Sequence, residues 1–157
     1  PHLYGGPLAD LIGRLKFGGE RAIAKPLARL TAQRLNEPIP RHITHLVPIP
    51  LSRSRLRERG FNQSSLLARH LAGELSLPVS HSLKRIRDTP AQTKLNQPAR
   101  HRNLRDAFAP TRPAVPEHVL LIDDVITTGA TIASAAQTLR RHGAKSVSAL
   151  ATAFTPP

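Results

Sequence analysis

The C-terminal part of the chain carries the pattern that constrains the fold most. Residues 118–122, of which all but His118 are apolar, predict a buried strand, and residues 131–142 have the period of a helix, which Gly143 would end. Residues 146–153 again have the character of a strand. A strand, a crossover helix and a second strand form a β-α-β unit, whose two strands run parallel. The chain is therefore predicted to be an α/β protein with a mainly parallel sheet flanked by helices.

Shorter patterns predict the elements that precede this unit. Apolar residues at helical spacing indicate two N-terminal helices, and a β-rich run closed by Pro48 and Pro50 indicates a first strand at the rim of the sheet. The predicted helices, strands and extended pieces lie near residues 7–16, 23–35, 43–49, 66–75, 78–83 and 104–108. Residues 84–102 predict a long polar loop, and because loops of this length commonly act as lids, we expect it to be mobile.

The composition favours one domain with an aliphatic core and an anionic partner. A chain of 157 residues fits a single domain, and only 3% of its residues are aromatic, which suits a parallel sheet packed with Leu, Ile, Val and Ala. Its 23 Lys and Arg against 10 Asp and Glu leave a formal charge of +13. Such a charge attracts phosphorylated metabolites, nucleic acid or an anionic membrane without choosing among them, and it also fits a merely solvated surface.

Several classes of protein are disfavoured by composition. The chain has no cysteine, which excludes disulfides and cysteine-bound zinc or iron–sulfur clusters, and its eight histidines show no metal-binding spacing. No apolar run reaches the roughly 20 residues of a membrane helix, and no signal segment opens the chain. We therefore expect a cytoplasmic protein with no membrane contact. Because the chain has no methionine and starts at Pro1, we also expect it to be part of a longer gene product.

Two acidic residues, Asp123 and Asp124, directly follow the predicted strand. In open parallel sheets, ligands bind at the carboxyl ends of the strands. Carboxylates accept hydrogen bonds from hydroxyls, so two neighbouring ones suit the vicinal diol of a ribose, either directly or through Mg²⁺. The structural alternative is that one of them caps the following helix and that the threonines after it are only turn residues.

A polar turn after the acidic pair has the composition of a phosphate site. The hydroxyls of Thr127, Thr128 and Thr131 and the amides of Gly129 and Ala130 lie where the predicted helix begins. The first N–H groups of a helix have no partner inside it, and its dipole favours an anion. The absence of a Gly-Lys-Ser/Thr sequence excludes a Walker nucleotide loop. A sugar phosphate would satisfy the acidic pair and this turn together.

These residues resemble those of a known family. The run from Ile122 to Thr131 resembles the phosphoribosyl pyrophosphate signature of type I phosphoribosyltransferases. Further blocks resemble the ComF family of competence-associated, phosphoribosyltransferase-like proteins, namely Leu15-Lys-Phe17, Val47-Pro-Ile-Pro50, Arg57-x-Arg-Gly-Phe-Asn-Gln63, Gln92 and Arg100-x-x-Asn103. The resemblance covers nearly the whole chain, and it implies a single domain of type I phosphoribosyltransferase fold over residues 1–157.

The resemblance also implies roles for individual residues. Asp123 and Asp124 would hold the ribose hydroxyls, and residues 127–131 would hold the 5-phosphate. Mg²⁺ would be bound through the ligand, and one of the two carboxylates is its candidate protein contact. The pyrophosphate contacts would come from a loop after the first strand, at Arg57, Arg59 and Gly60. Arginine suits this task because its planar fork binds phosphate oxygens, although a solvated loop face is the alternative. Further candidates are Lys16 and Arg100.

Two functions follow from the resemblance. The first is binding of phosphoribosyl pyrophosphate with Mg²⁺ and transfer of its phosphoribosyl group to a nitrogen nucleophile, which the sequence does not identify. The second is a non-catalytic protein that binds phosphoribosyl pyrophosphate, single-stranded DNA or both during DNA uptake. Few aromatic side chains are available for base stacking, so DNA contact would fall on the phosphate backbone. ComF-like proteins commonly begin with a cysteine-rich, zinc-binding segment that is not in this sequence. Either the sequence starts after that segment or this member has lost it, so zinc is not predicted here.

Overall fold

A computed structural model describes residues 2–35, 37–87 and 106–155. The elements within these residues are, in order, β1 (His2–Leu3), α1 (Gly6–Phe17), a 3₁₀ turn (Arg21–Ile23), α2 (Ala24–Gln33), β2 (His45–Pro48), α3 (Arg53–Arg59), α4 (Gln63–Leu75), β3 (Leu83–Arg85), β4 (Phe108–Pro110), β5 (His118–Ile126), α5 (Ala130–Arg141) and β6 (Ser146–Phe154). The two N-terminal helices, α4 and the C-terminal β-α-β unit agree with the sequence prediction. None of the helices in the described ranges is long and apolar enough to cross a membrane.

Four parallel strands form the main sheet, in the order β1-β6-β5-β2. β5 lies inside the sheet between β6 and β2, where Val119 pairs with Val147 and Leu121 pairs with Val47. A strand that is covered on both faces is apolar throughout, which explains the unbroken apolar run from Val119 to Ile122. This sheet confirms the predicted α/β architecture. β3 and β4 form a separate antiparallel pair.

Helices cover both faces of the main sheet. Leu120 and Ile122 of β5 pack on one face in a buried cluster with residues of α1, α2 and α4. Val119 and Leu121 point to the other face and pack against α5, because successive side chains of a strand alternate between faces. The buried apolar residues of the described ranges are aliphatic except for two rings, Phe61 and Phe108. The core therefore has the composition that the low aromatic content predicts.

β5 is longer than predicted, and this changes the setting of the acidic pair. The sequence pattern places the end of the strand at Ile122, which is wrong, because pairing with β6 continues as far as Ile126 opposite Phe154. Both acidic residues therefore lie within the strand, and the turn begins only at Thr127. Their backbone is consequently held by the sheet.

The arginine-rich segment after β2 is a helix, α3, and not the predicted loop. Ser52 caps its start by accepting a hydrogen bond from the N–H of Arg55 at 3.5 Å. Gly60 ends it in the left-handed conformation, with φ of 73°. Both arrangements are common helix caps. Arg57 and Arg59 therefore lie in the last turn of a helix.

The region after α4 also differs from the prediction. The predicted strand at residues 78–83 is reduced to a single bridge between Val79 and β2, and β3 begins where that strand was expected to end. β3 pairs with β4, which starts at Phe108, the last residue of the predicted extended piece. The first two residues of the predicted loop at 84–102 belong to β3, and residues 88–105 lie outside the described residues.

Candidate functional site

Asp123 and Asp124 lie side by side near the carboxyl end of β5. Asp124 has the same alternation as Leu120 and Ile122, so it points to the face that α1 covers, and it is only 7% exposed. The Nζ of Lys16, in the last turn of α1, lies 3.0 Å from its Oδ1. Because a buried carboxylate is costly without a partner, this ion pair offsets the cost of placing Asp124 at this position.

Asp123 is held by hydrogen-bond donors. Its Oδ1 accepts from the hydroxyl of Ser64, in α4, at 3.0 Å and from the backbone N–H of Asp124 at 3.0 Å. Burial and the charge of Asp124 raise the pKa of Asp123 to about 7, against the lowering effect of these hydrogen bonds and of Lys16. Asp123 therefore gains or loses its proton near neutral pH, the range in which a general acid or base works best.

A small concavity lies beside the acidic pair, where β5 turns into α5. Its walls are formed by Asp123 and residues 125–132. Gly129 precedes α5 with φ of 72°, a conformation that other residues rarely adopt, and a Cβ there would meet no atom within 4 Å. The glycine is thus required for its backbone conformation and leaves open space at the turn. Thr127, Thr128 and Thr131 are among the residues that line this space, which lies at the positive end of a helix dipole.

One N–H group at this turn is already engaged within it. The N–H of Ala130 donates to Oγ1 of Thr128 at 3.4 Å, near the outer limit for a hydrogen bond. Thr127 is exposed, whereas Thr128 and Thr131 are half-buried. An incoming anion would therefore compete only with a long internal hydrogen bond for the Ala130 amide.

Arg59 lies on the side of the acidic pair where α3 ends. Its guanidinium carbon is 4.9 Å from the centre of the Phe17 ring, at the end of α1. Burial, and then the charge of Arg55, lower the pKa of Arg59, whereas the charge of Asp124 raises it. Arg59 is thus a half-buried cation within electrostatic range of the acidic pair.

The described structure does not bring the remaining predicted residues, Arg57, Gly60 and Arg100, to the acidic pair. Arg57 is exposed on α3, and the backbone carbonyl of Gly60 accepts a hydrogen bond from Arg21 at 3.4 Å. Arg100 lies outside the described residues. Of the predicted basic residues, the structure therefore brings Lys16 and Arg59 to the acidic pair.

Two contributors to the site were not predicted from the sequence. Ser64 donates to Asp123, and its own N–H is held by the Asn62 side chain, which caps α4 at 3.0 Å. An Asn ahead of a helical apolar pattern is a recognisable capping signal. It does not reveal which strand the first turn of that helix will contact. Phe17, which belongs to a family block, is 74% exposed and contacts Arg59.

The acidic pair fits a magnesium ion that comes with a phosphate ligand. Mg²⁺ prefers oxygen ligands and is commonly held by one or two carboxylates together with the phosphates of its ligand. Within the described ranges, no group of three or more His, Cys, Asp and Glu side chains could hold a metal. The ammonium of Lys16 already lies against Asp124 as a cation, which shows that this carboxylate can receive positive charge.

The sequence has relatives with names that refer to DNA and competence. It is 40% identical to the DNA utilization protein YhgH of Salmonella typhi over 152 residues, which are 92% of this chain and 66% of the relative. It is 35% identical over 149 residues to competence protein F of Haemophilus influenzae, and 34% identical over 144 residues to competence protein ComFC of Bacillus subtilis. These two matches include 90% of this chain and 65% and 57% of the relatives. The chain therefore spans less than two thirds of the length of these curated relatives.

Solved structures and a family model identify the fold. The allosteric regulatory enzyme of purine biosynthesis superposes with a TM-score of 0.56 at 21% identity, over 84% of this chain and 26% of that one. The glutamine phosphoribosylpyrophosphate amidotransferase of B. subtilis superposes with a TM-score of 0.54 at 21% identity, over 82% of this chain and 26% of that one. Residues 19–156 match the model of the phosphoribosyl transferase domain, which confirms the predicted type I phosphoribosyltransferase fold. The chain therefore belongs to the phosphoribosyl transferase domain family and, with the relatives named above, to its ComF-type members.

Proposed function

We propose that this protein binds phosphoribosyl pyrophosphate with Mg²⁺ and transfers the phosphoribosyl group to a nitrogen nucleophile. The observation that carries the proposal is the acidic pair near the end of β5, beside the concavity of residues 125–132. Two carboxylates suit the diol of a ribose and the turn suits its 5-phosphate, so one ligand would occupy both. Lys16 and Arg59 would supply positive charge for the diphosphate.

The proposed reaction is a displacement at C1 of the ribose. A bond forms between the nitrogen and C1 while the bond from C1 to the diphosphate oxygen breaks, and pyrophosphate leaves with the bonding electrons. Positive charge develops on the sugar ring, where Asp123 and Asp124 would stabilise it, and negative charge develops on the leaving group, where Arg59 would act. With a pKa of about 7, Asp123 would also be suited to accept the proton that the nitrogen loses. One of the two carboxylates would hold the Mg²⁺ that arrives with the ligand, and the charge of this ion would offset that of the diphosphate.

The test is calorimetric titration of phosphoribosyl pyrophosphate with Mg²⁺ into the wild type and into an Asp123→Asn/Asp124→Asn variant. We expect saturable binding by the wild type. The variant should bind about 100-fold more weakly or not at all, because each hydrogen bond to a charged group contributes about 1.5–3 kcal/mol. Release of pyrophosphate on addition of candidate nitrogen acceptors would then measure turnover.

A matched control removes two acidic side chains elsewhere. Asp10 and Glu74 are exposed, so Asp10→Asn/Glu74→Gln changes the net charge by the same amount and should leave binding unchanged. A folded wild type that binds no phosphoribosyl pyrophosphate, or equal binding by both variants, would contradict the proposal. Binding without turnover over a broad set of acceptors would favour the non-catalytic alternative.

A basic groove favours single-stranded DNA as a second candidate ligand. The groove has a volume of about 530 Å³ and begins at Pro50 and Leu51, just after β2. Its cationic lining residues are Arg53, Lys84, Arg85 and Arg87. Cations along a groove bind the phosphate backbone of DNA without reading its sequence. The names of the relatives, which refer to DNA utilization and to competence, are in keeping with this candidate.

The salt dependence of binding tests the groove. We expect a labelled oligothymidylate to bind the wild type with an affinity that falls steeply with salt, as measured by fluorescence anisotropy. Lys84→Ala/Arg87→Ala should reduce the slope against the logarithm of salt concentration by about 1.4, because each phosphate contact with a single strand contributes about 0.7 to that slope. Arg29→Ala/Arg69→Ala removes two exposed cations of α2 and α4 and should not change the slope. Equal effects of the two variants would show that net charge, and not the groove, attracts the DNA.

A further inference from the structure

The end of α1 is held at the acidic pair by several contacts at once. Lys16 forms an ion pair with Asp124, with only 20% of the Lys16 side chain exposed. The next residue, Phe17, stacks with Arg59 of α3. Across the turn that follows α1, Arg14 donates to Glu20 through two hydrogen bonds of 2.8 and 2.6 Å. These contacts connect the end of α1 to its neighbours, and from there the Lys16 side chain reaches Asp124.

The Lys16 ammonium supplies a positive charge to the acidic pair. Asp124 is 7% exposed. Within the described ranges, its contact with Lys16 at 3.0 Å is the one ion pair formed by either acidic residue. Without Lys16, the buried carboxylate of Asp124 and the partly exposed carboxylate of Asp123 would have no cation in contact, an arrangement that is costly and that attracts positive ions. The free protein thus already contains the charge that a metal ion would otherwise supply.

We propose that Lys16 is a positioning residue that serves as the resident cation of the acidic pair, holding Asp124 in place and lowering the affinity of the pair for a bare divalent cation. The inference rests on the proposed function, because it concerns how the same site receives Mg²⁺. A divalent cation that arrives alone is repelled by the ammonium or has to displace it. A divalent cation that arrives on a sugar diphosphate brings negative charge that offsets this repulsion. The site consequently selects the complex of metal and ligand over the free metal.

The test is a titration with Mn²⁺ alone, in the absence of any sugar phosphate, with the free ion followed by electron paramagnetic resonance. We expect weak binding by the wild type. Lys16→Ala and Lys16→Gln should bind Mn²⁺ at least about tenfold more tightly, because a unit positive charge at contact distance from the carboxylate is removed. Lys16→Arg keeps that charge and should bind as weakly as the wild type.

Lys25→Ala is the matched control, since it removes an exposed cation from α2 and should leave the Mn²⁺ affinity unchanged. Lys16→Gln keeps an amide donor for Asp124 and decides the question if circular dichroism shows that Lys16→Ala does not fold. Wild-type Mn²⁺ affinity in a folded Lys16→Gln variant would overturn the proposal, as would an equal gain in Lys25→Ala. Binding of phosphoribosyl pyrophosphate by the wild type is measured in a separate titration. If the wild type does not bind it, the proposed function is contradicted, but the comparison of Mn²⁺ affinities remains valid.

Discussion

An Asp123→Asn variant is expected to be more stable than the wild type at pH 8, by roughly 1–3 kcal/mol in the free energy of unfolding. Burial and the neighbouring Asp124 raise the pKa of Asp123 to about 7, so the folded state disfavours the charge that this residue carries at higher pH. Asparagine has no charge to bury, and its side-chain oxygen can still accept hydrogen bonds from Ser64 and from the N–H of residue 124. The expected gain is smaller than the full pKa change implies because the side chain is partly exposed.

The stability gain of Asp123→Asn should depend on pH in one direction. Between the ordinary pKa of 3.8 and the folded value of about 7, the folded wild type holds a proton that the unfolded chain has lost. Wild-type stability therefore falls as the pH rises through this window, and the variant is free of that loss. The difference in urea unfolding should be largest at pH 8 and should vanish towards pH 4. Asp10→Asn, at an exposed position, is the control. An Asp123→Asn variant less stable than the wild type at pH 8 would contradict the raised pKa.

The same substitution one residue later should have the opposite effect. Asp124→Asn leaves the largely buried ammonium of Lys16 without its ion-pair partner. Removing one member of a buried pair is strongly destabilising because the remaining charge is uncompensated. We expect a loss of about 2–4 kcal/mol at pH 7, measured by urea unfolding, with some compensation because the repulsion acting on Asp123 disappears.

A double-mutant cycle separates the ion pair from other effects of Asp124→Asn. Lys16→Met removes the charge and keeps an apolar stem of similar length, so Lys16→Met/Asp124→Asn should recover most of the lost stability. The interaction free energy of the cycle then measures the coupling between the two side chains. If the double variant is as unstable as Asp124→Asn alone, the unpaired ammonium is not the cause.

The α/β fold could be predicted because the spacing of apolar residues that marks a strand or a helix lies within a short stretch of sequence. The strand and helix patterns after residue 118 each lie within one short window, and their order implies parallel strands. α3 could not be found in this way because most of its seven residues are charged, so no apolar face marks it, and its caps at Ser52 and Gly60 were the available signal. The extension of β5 to Ile126 depends on pairing with β6, which local pattern does not contain.

The carboxylates and hydroxyls of the candidate site can be recognised from the order of residues along the chain. Asp123, Asp124 and the threonines after them are consecutive, and a strand that turns directly into a helix keeps consecutive residues together. The groups that contact these carboxylates come from distant parts of the chain and depend on how the helices pack. Ser64 lies 59 positions from Asp123 along the chain, and Lys16 is still more distant, so the packing of α1 and α4 on one face of the sheet is what brings them to the pair. The raised pKa of Asp123 has the same origin, because desolvation and the charge of a neighbour act through space.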